Sequence, residues 1–507
     1  MKFSAVKVPS VQRLISLMDA PQPAHPGNNA VGAVVAVLEQ QQAEPAQNAA
    51  ANNSPVNQDQ AQPSTSTCSN GTSFGTSSSE GVECYGNERN ALAEQAKFFN
   101  NPLLSDIKLK VGGKTYHAHK LVLVRSSEVF ERMFSSDWSD PNKNELELVE
   151  DPACVDVFSS FLKFLYSCHI TLNTDNSLPV LVLADKYNVS DLRNVCVSHA
   201  TSFIIPKLQL KDVFHVWFQY ATKCYHQKLI SSCVRALSPK ADDIMGTPEW
   251  EREWLDLEKD QLIEILRSSE LAIKDEFSLY KAVEKWLQAS KYPERQENLE
   301  TLLKELLQYV RFPMMTANQL CEVEHSAFAE QFPNLFTPYF MMSYKYHALS
   351  LESRGASKEF TTSSFLLRNY SDLRWDKRIV IENYSQFPRC SEIMPRFTTR
   401  SSTFPVTSWD WEIKIHPKGV SNNTDDFRAI LYSNLILDQS RPIEFMLSIV
   451  DNSRLLKTVT GRKNFSKSRY TADTEIDKKV SASELGPDSP LLVNDNLILQ
   501  IILKPVE

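Results

Sequence analysis

The sequence contains no run of 18 consecutive apolar residues, so no membrane-crossing helix is expected. It has no CxxC pair, and its one CxH triplet, Cys224-Tyr225-His226, stands alone in the sequence. Its nine cysteines are scattered and odd in number, which argues against a zinc-ligand arrangement or a small disulfide scaffold and favours a reducing compartment. Cys196 and Cys233 fall within apolar helical patterns, where a free thiol serves as a small core residue. Positive charge is not in excess either. The net charge of -8 sets nucleic acid aside as the main partner, because phosphate binding needs a basic face. Only Lys457 and the stretch Arg462, Lys463, Lys467, Arg469 are locally basic, which fits a solvated strand edge or loop. HExxH, the P-loop and a GxGxxG following a strand are all missing, the one GxSxG match, GTSFG at residues 71–75, falls in the low-complexity head, and no local context supports a Cys–His nucleophile pair. Catalytic residues, cofactors and metal ligands are therefore expected to be none.

What is present is a multidomain pattern over 507 residues. Residues 1–86 are a low-complexity head. The Gln, Asn, Ala, Ser and Thr of residues 39–90 give too little apolar surface to offset chain entropy, so disorder is expected there, with order beginning near Asn87. Within the head, AVGAVVAVL (residues 30–38) would serve as the apolar core of a late signal peptide, with Lys2, Lys7 and Arg13 ahead of it. The absence of a plain cleavage pattern favours the cytoplasm, with secretion as the alternative.

From Asn87 the texture changes. Leu92, Gln95, Ala96 and Phe99 repeat at helical spacing in ERNALAEQAKFFNNP. Ile107, Leu109 and Val111 alternate with lysines as in a strand, Gly112-Gly113 forms a hairpin turn, and KTYHAH returns. The spacing then predicts a helix through HKLVLVRSSEVFERMFS, a short strand at NELELVE, and three more helices to about residue 205. Residues 87–205 thus read as a compact α+β domain. Residues 206–345 are all-helical in pattern, with Trp217 and Trp286 at core positions, and residues 346–369 read as a linker. In residues 370–507, Trp409, Trp411, Ile413 and Ile415 alternate with polar side chains, as do Phe445, Leu447 and Ile449. Leu497, Leu499, Ile501 and Leu503 repeat the period, which predicts an all-β sandwich.

His117 and His119 are the one pair that suggests chemistry. On a strand, i and i+2 share a face, so two imidazoles could share a metal. A structural zinc site needs four ligands, and Tyr116 and Lys120 supply none. A lysine beside a dication is also unfavourable by charge. Both histidines are expected to be framework.

The stretch SDIKLKVGGKTYHAHKLVLVRSSEVFERMF closely resembles the start of a BTB/POZ domain, and FLKFLYSCHITL and LADKYNVSDLRNVC follow in the family's order. Cys168-His169 departs from it, since many relatives have a Gly in this turn. ELAIKDEFSLYKAVEKWL and LLKELLQYVRFPMM resemble the landmarks of a BACK domain. WEIKIHPKG and SPLLVNDNLILQI are similar to a TRAF-like (MATH-like) sandwich. Peptide-groove residues are not carried over, because SRYTADTEIDKKVSASEL shows no counterpart of the patch that MATH adaptors use.

The resemblance implies a non-catalytic interaction scaffold. BTB domains of this kind form homodimers through the helix near Asn87–Asn100, which places Leu92 and Phe99 at the dimer interface. Asp106 and Lys120 fall where the family often carries a charged pair beside it. Many BTB–BACK proteins are substrate adaptors of cullin-RING ubiquitin ligases. Trp138 and Asp140 occupy the cullin-3 contact motif, with Asp in place of the usual Glu, and the protein client is left open. The alternative is a secreted scaffold of the galectin-3-binding-protein type with no ubiquitin role. Sequons at Asn52, Asn70, Asn188, Asn369, Asn383, Asn422 and Asn464 are compatible with it.

Overall fold

The computed structural model describes residues 86–135, 144–400, 408–420, 427–433, 441–465, 474–476, 482–486 and 488–506. They fall into two compact units divided between Ile204 and Ile205. The disorder expected of the head lies outside the described residues. No helix among the described residues is long and apolar enough to cross a membrane.

The first unit is α+β. Helix α1 (Glu88–Ala96) begins on Asn87, whose side chain accepts from the Asn90 N–H. Strands β1 (Ile107–Val111) and β2 (Lys114–Ala118) form the expected hairpin. Gly112 and Gly113 have φ of 54° and 80°, the left-handed pair that a two-residue hairpin turn requires. A Cβ on Gly112 would lie 2.3 Å from Val155 Cγ1, so this turn also needs the missing side chain. Ile107, Leu109 and Val111 are buried and the two lysines between them are exposed, as the alternation requires. Strand β3 (Glu145–Leu148) adds parallel to β1, giving the order β2-β1-β3.

The single helix expected after β2 is two. Ser127 has extended φ/ψ and separates α2 (Lys120–Ser126) from α3 (Glu128–Phe134). Its hydroxyl accepts from Phe130 N–H and donates to the Tyr187 carbonyl at 2.5 Å, a long-range bond that helix periodicity cannot reveal. Helix α4 (Pro152–Ser167) starts with an Asp151 cap and Pro152 in its first turn. It buries Cys154, Phe158, Phe161, Leu162 and Leu165 along one face. Its C-cap is Cys168 at φ 47°, left-handed backbone of the kind that glycine adopts most readily. Helices α5 (Ser177–Lys186) and α6 (Ser190–His199) complete the layer.

The second unit joins a helical layer to a sandwich. Among its helices are α7 (Gln227–Leu237), α8 (Lys259–Arg267), α9 (Glu276–Leu287), α10 (Leu299–Leu306), α11 (Ala317–Glu324), α12 (Pro333–Ala348) and α13 (Leu351–Ala356). Trp217 and Trp286 are core, at 4% and 1% exposure. The Trp286 indole donates to the Leu257 carbonyl, and Arg295 stacks on its ring at 3.7 Å. One departure from the all-helical expectation is β4 (Ala272–Ile273), which pairs in parallel with β5 (Asn369–Tyr370).

Among the described residues the sandwich has two four-stranded sheets. One runs β11-β10-β13-β6, from β6 (Asp376–Ile381), β10 (Arg441–Val450), β11 (Leu455–Phe465) and β13 (Leu497–Pro505). The other runs β12-β9-β8-β7, from β7 (Arg396–Arg400), β8 (Ser408–His416), β9 (Arg428–Ser433) and β12 (Thr474–Ile476). Trp409, Trp411, Ile413, Ile415, Phe445, Leu447 and Ile449 fill the space between them with Leu497, Leu499, Ile501 and Leu503.

The first sheet is covered on its second face too. Met446 and Ile502 pack against Leu351, Phe360, Phe365 and Leu367, while Val450 and Ile498 pack against Leu366. Residues 346–369, read from sequence as a linker, are therefore a packed layer between helices and sheet. Gln500 ties this layer down by accepting from Leu367 N–H and donating to the Phe365 carbonyl, both at 3.0 Å.

A buried charge cluster stands at the same seam. Glu276 accepts from Arg368 Nε at 2.7 Å, from the Tyr370 hydroxyl at 2.8 Å and from Arg311 N–H at 3.1 Å. Glu276 is 0% exposed and Arg368 1%. Burial alone would raise the Glu276 carboxyl. The charges of Arg368 and Arg311 and the hydrogen bonds outweigh it and hold the group below its ordinary value.

Candidate interaction surface

His119 is held in the framework by its hydrogen bonds. His119 Nε2 lies 2.9 Å from the Leu103 carbonyl, which only accepts, so this nitrogen carries the proton. Nδ1 then accepts from the Tyr166 hydroxyl at 3.0 Å, and that hydroxyl oxygen accepts from the His119 backbone N–H at 3.0 Å. Both ring nitrogens are engaged, so His119 has no lone pair to offer an ion. Burial pushes the Tyr166 phenol up to about 12, which keeps this donor neutral. His117 lies on the other face of β2 from Tyr116 and Ala118, and its backbone N–H donates to the Asn100 side chain at 2.9 Å.

Asp106 does meet Lys120, but through the backbone. Asp106 Oδ1 accepts from the Lys120 N–H at 2.8 Å. Lys120 is the first residue of α2, and the N-cap His119 makes no side-chain cap bond. Asp106 thus satisfies a helix-start N–H that the local sequence leaves open, and its charge suits that end of the helix. The Lys120 ammonium lies over the Phe134 ring, 5.7 Å from its centroid. The sequence signal was available: a helix opening with HKLVL lacks a Ser, Thr, Asp or Asn cap and must borrow one.

Helix α1 buries none of its residues, although it packs beside α4. It ends at Ala96, sooner than the spacing of Leu92 and Phe99 suggests. Leu92 is half-buried on α1, whereas Phe99 lies in the following turn, edge-on to Tyr166 at 6.1 Å. Leu103, Leu104 and Leu121 are 59%, 79% and 81% exposed. They surround the Asp106 contact: Leu103 holds His119, Leu104 precedes Asp106 by two residues, and Leu121 follows Lys120. Sequence patterning missed these leucines because exposure of an apolar side chain leaves no periodic mark. Trp138 and Asp140 lie outside the described residues.

Three family models match the chain: BTB/POZ domain over residues 96–203, BTB And C-terminal Kelch over 215–325, and BTBD17 TRAF domain over 365–430. The chain is similar to BTB/POZ domain-containing protein 17 of Xenopus laevis, 24% identical over 78% of this chain and 84% of that one. The Xenopus tropicalis protein of the same name is 26% identical over the same shares. Kelch-like protein 41 of Homo sapiens is 27% identical over 44% of this chain and 37% of its own. A solved structure, the BTB domain of zebrafish PATZ1, covers 23% of this chain and 96% of its own at 25% identity, with a TM-score of 0.19 that bears no weight on the fold. In sequence and in architecture, then, the chain carries a BTB domain, a BACK domain and a BTBD17 TRAF domain in that order, with homologues named BTB/POZ domain-containing protein 17 over most of its length.

Proposed function

We propose that this protein-interaction scaffold pairs with a second copy of itself through residues 87–205 and presents cullin-3 and a protein client as a substrate adaptor of a ubiquitin ligase. Its working parts are residues 87–205, 206–345 and 370–507. The observation that carries the pairing is α1: a helix with no buried residue, flanked by exposed Leu103, Leu104 and Leu121 around the Asp106 contact. Apolar surface of this kind is stabilised when a partner covers it, and a twofold-related copy meets it with the same patch. The cullin contact rests on the family resemblance of Trp138 and Asp140. The work is done by binding, without catalytic residues of its own.

A cytoplasmic location fits two of the sequons. The Asn188 amide donates to Glu128 at 2.9 Å and its oxygen accepts from Arg193 at 2.8 Å, while the Asn369 amide donates to the Glu270 carbonyl at 2.8 Å. A glycan on either nitrogen would displace those bonds. Pull-down tests the adaptor reading. Wild type should retain cullin-3 and a Trp138→Ala/Asp140→Ala variant should lose it. No retention by wild type would refute this role.

A further inference from the structure

The described chain starts at Gly86, two residues before α1. Gln95 of α1 reaches α2, where its side-chain oxygen accepts from Arg125 at 3.1 Å. Arg125 stands four residues after Leu121, one turn along the same face of α2. The head of residues 1–85 is therefore tethered beside the exposed leucines Leu103, Leu104 and Leu121.

That patch is held in place. Leu104 has a φ of 60°, left-handed backbone that is unfavourable for a leucine. Turn bonds fix it there. Leu103 N–H donates to the Asn101 side chain at 3.0 Å, Ser105 N–H donates to the Pro102 carbonyl at 3.2 Å, and the Leu103 carbonyl accepts from His119. Strained backbone that holds an apolar side chain in water is offset when something covers that side chain.

The head holds a segment of matching character. In SVQRLISLMDAP (residues 10–21), Val11, Leu14, Ile15 and Met18 recur at i, i+3, i+4 and i+7, while Gln12, Arg13, Ser16 and Asp19 take the other side. Ser10 is a helix-start residue and Pro21 a stop. The other apolar stretch, residues 30–38, has no polar side to leave in water when laid on a surface. Roughly 65 residues join Pro21 to Gly86, and a flexible chain of that length spans about 45 Å, which gives an effective concentration in the millimolar range.

We propose that residues 10–20 dock as a helix on Leu103, Leu104 and Leu121 of the unpaired chain and mask the patch until a second copy displaces them. As a control on pairing this rests on the self-association proposed above; the contact itself does not. A contact within one chain competes at that effective concentration against more dilute second copies, so a weak contact is enough to set the pairing threshold.

The test uses full chains and a fluorescein-labelled peptide of residues 8–20, VPSVQRLISLMDA. Leu14→Asp/Ile15→Asp should tighten self-association about tenfold in sedimentation equilibrium, because it removes the competing segment. By anisotropy the peptide should bind this variant well and wild type weakly, since the wild-type head is already in place. Adding Leu104→Asn should weaken peptide binding at least about tenfold, the effect of one uncovered leucine, without lowering the melting temperature, because asparagine suits left-handed backbone. No binding of the peptide, binding undiminished by Leu104→Asn, or pairing unmoved by Leu14→Asp/Ile15→Asp would overturn the proposal. Chains that stay single in every variant while the peptide still binds through Leu104 would uphold the contact and refute the pairing instead.

Discussion

Asp106 acts on a backbone group, and this separates it from Lys120. Asp106→Ala removes the acceptor for the first N–H of α2 and should lower stability by about 1 kcal/mol, as loss of a helix cap does. Lys120→Met keeps that N–H and most of the contact with Phe134, so its melting temperature should stay near wild type. Thermal unfolding of both variants checks this, and equal losses would restore a side-chain ion pair. Glu276 is the second residue with a distinct signature. Its folded pKa lies below the unfolded carboxylate value of about 4.3, so its stabilisation is fully present above that pH and is lost as pH falls through the folded value. Glu276→Gln leaves Arg368 and Arg311 buried without their anion and should cost about 3–5 kcal/mol near neutrality. Acid titration of stability should then be flatter for the variant below roughly pH 4.3. An unchanged acid limb would remove Glu276 from the account.

At the scale of elements, α13 shows how closely the helical layer sits on the sandwich. A Cβ on Gly355 would lie 2.7 Å from Thr460 Cγ2 and 3.1 Å from Thr458 Cγ2. Gly355→Ala should destabilise despite the better helix propensity of alanine, and Thr460→Ser, which removes the nearer methyl, should recover much of the loss. A double-mutant cycle by chemical denaturation measures this, and strictly additive effects would mean that the helix stands off the sheet. What was legible in the sequence follows the same division. Hairpin, α4 and inner sandwich faces were readable because their periods are local: Gly112-Gly113, Phe158 to Leu165, Trp409 to Ile415. The break at Ser127, the cap from Asp106 and the cluster around Glu276 were not, because each depends on a partner from 14 to 94 residues away. Ile498 and Ile502 concealed the second buried face of β13, since the inner residues alone already satisfied a sandwich pattern.

For the whole molecule, the layer at residues 346–369 means that helices and sandwich of the second unit share one core rather than meeting through a tether. A client on that sandwich would be held at a fixed place relative to the helices, as an adaptor requires. The central claim concerns assembly, and light scattering during size-exclusion chromatography of the full chain mixed with cullin-3 tests it most directly. The account predicts one peak with a mass of two chains and two cullins. A peak at the mass of one chain, with cullin eluting apart, would contradict it.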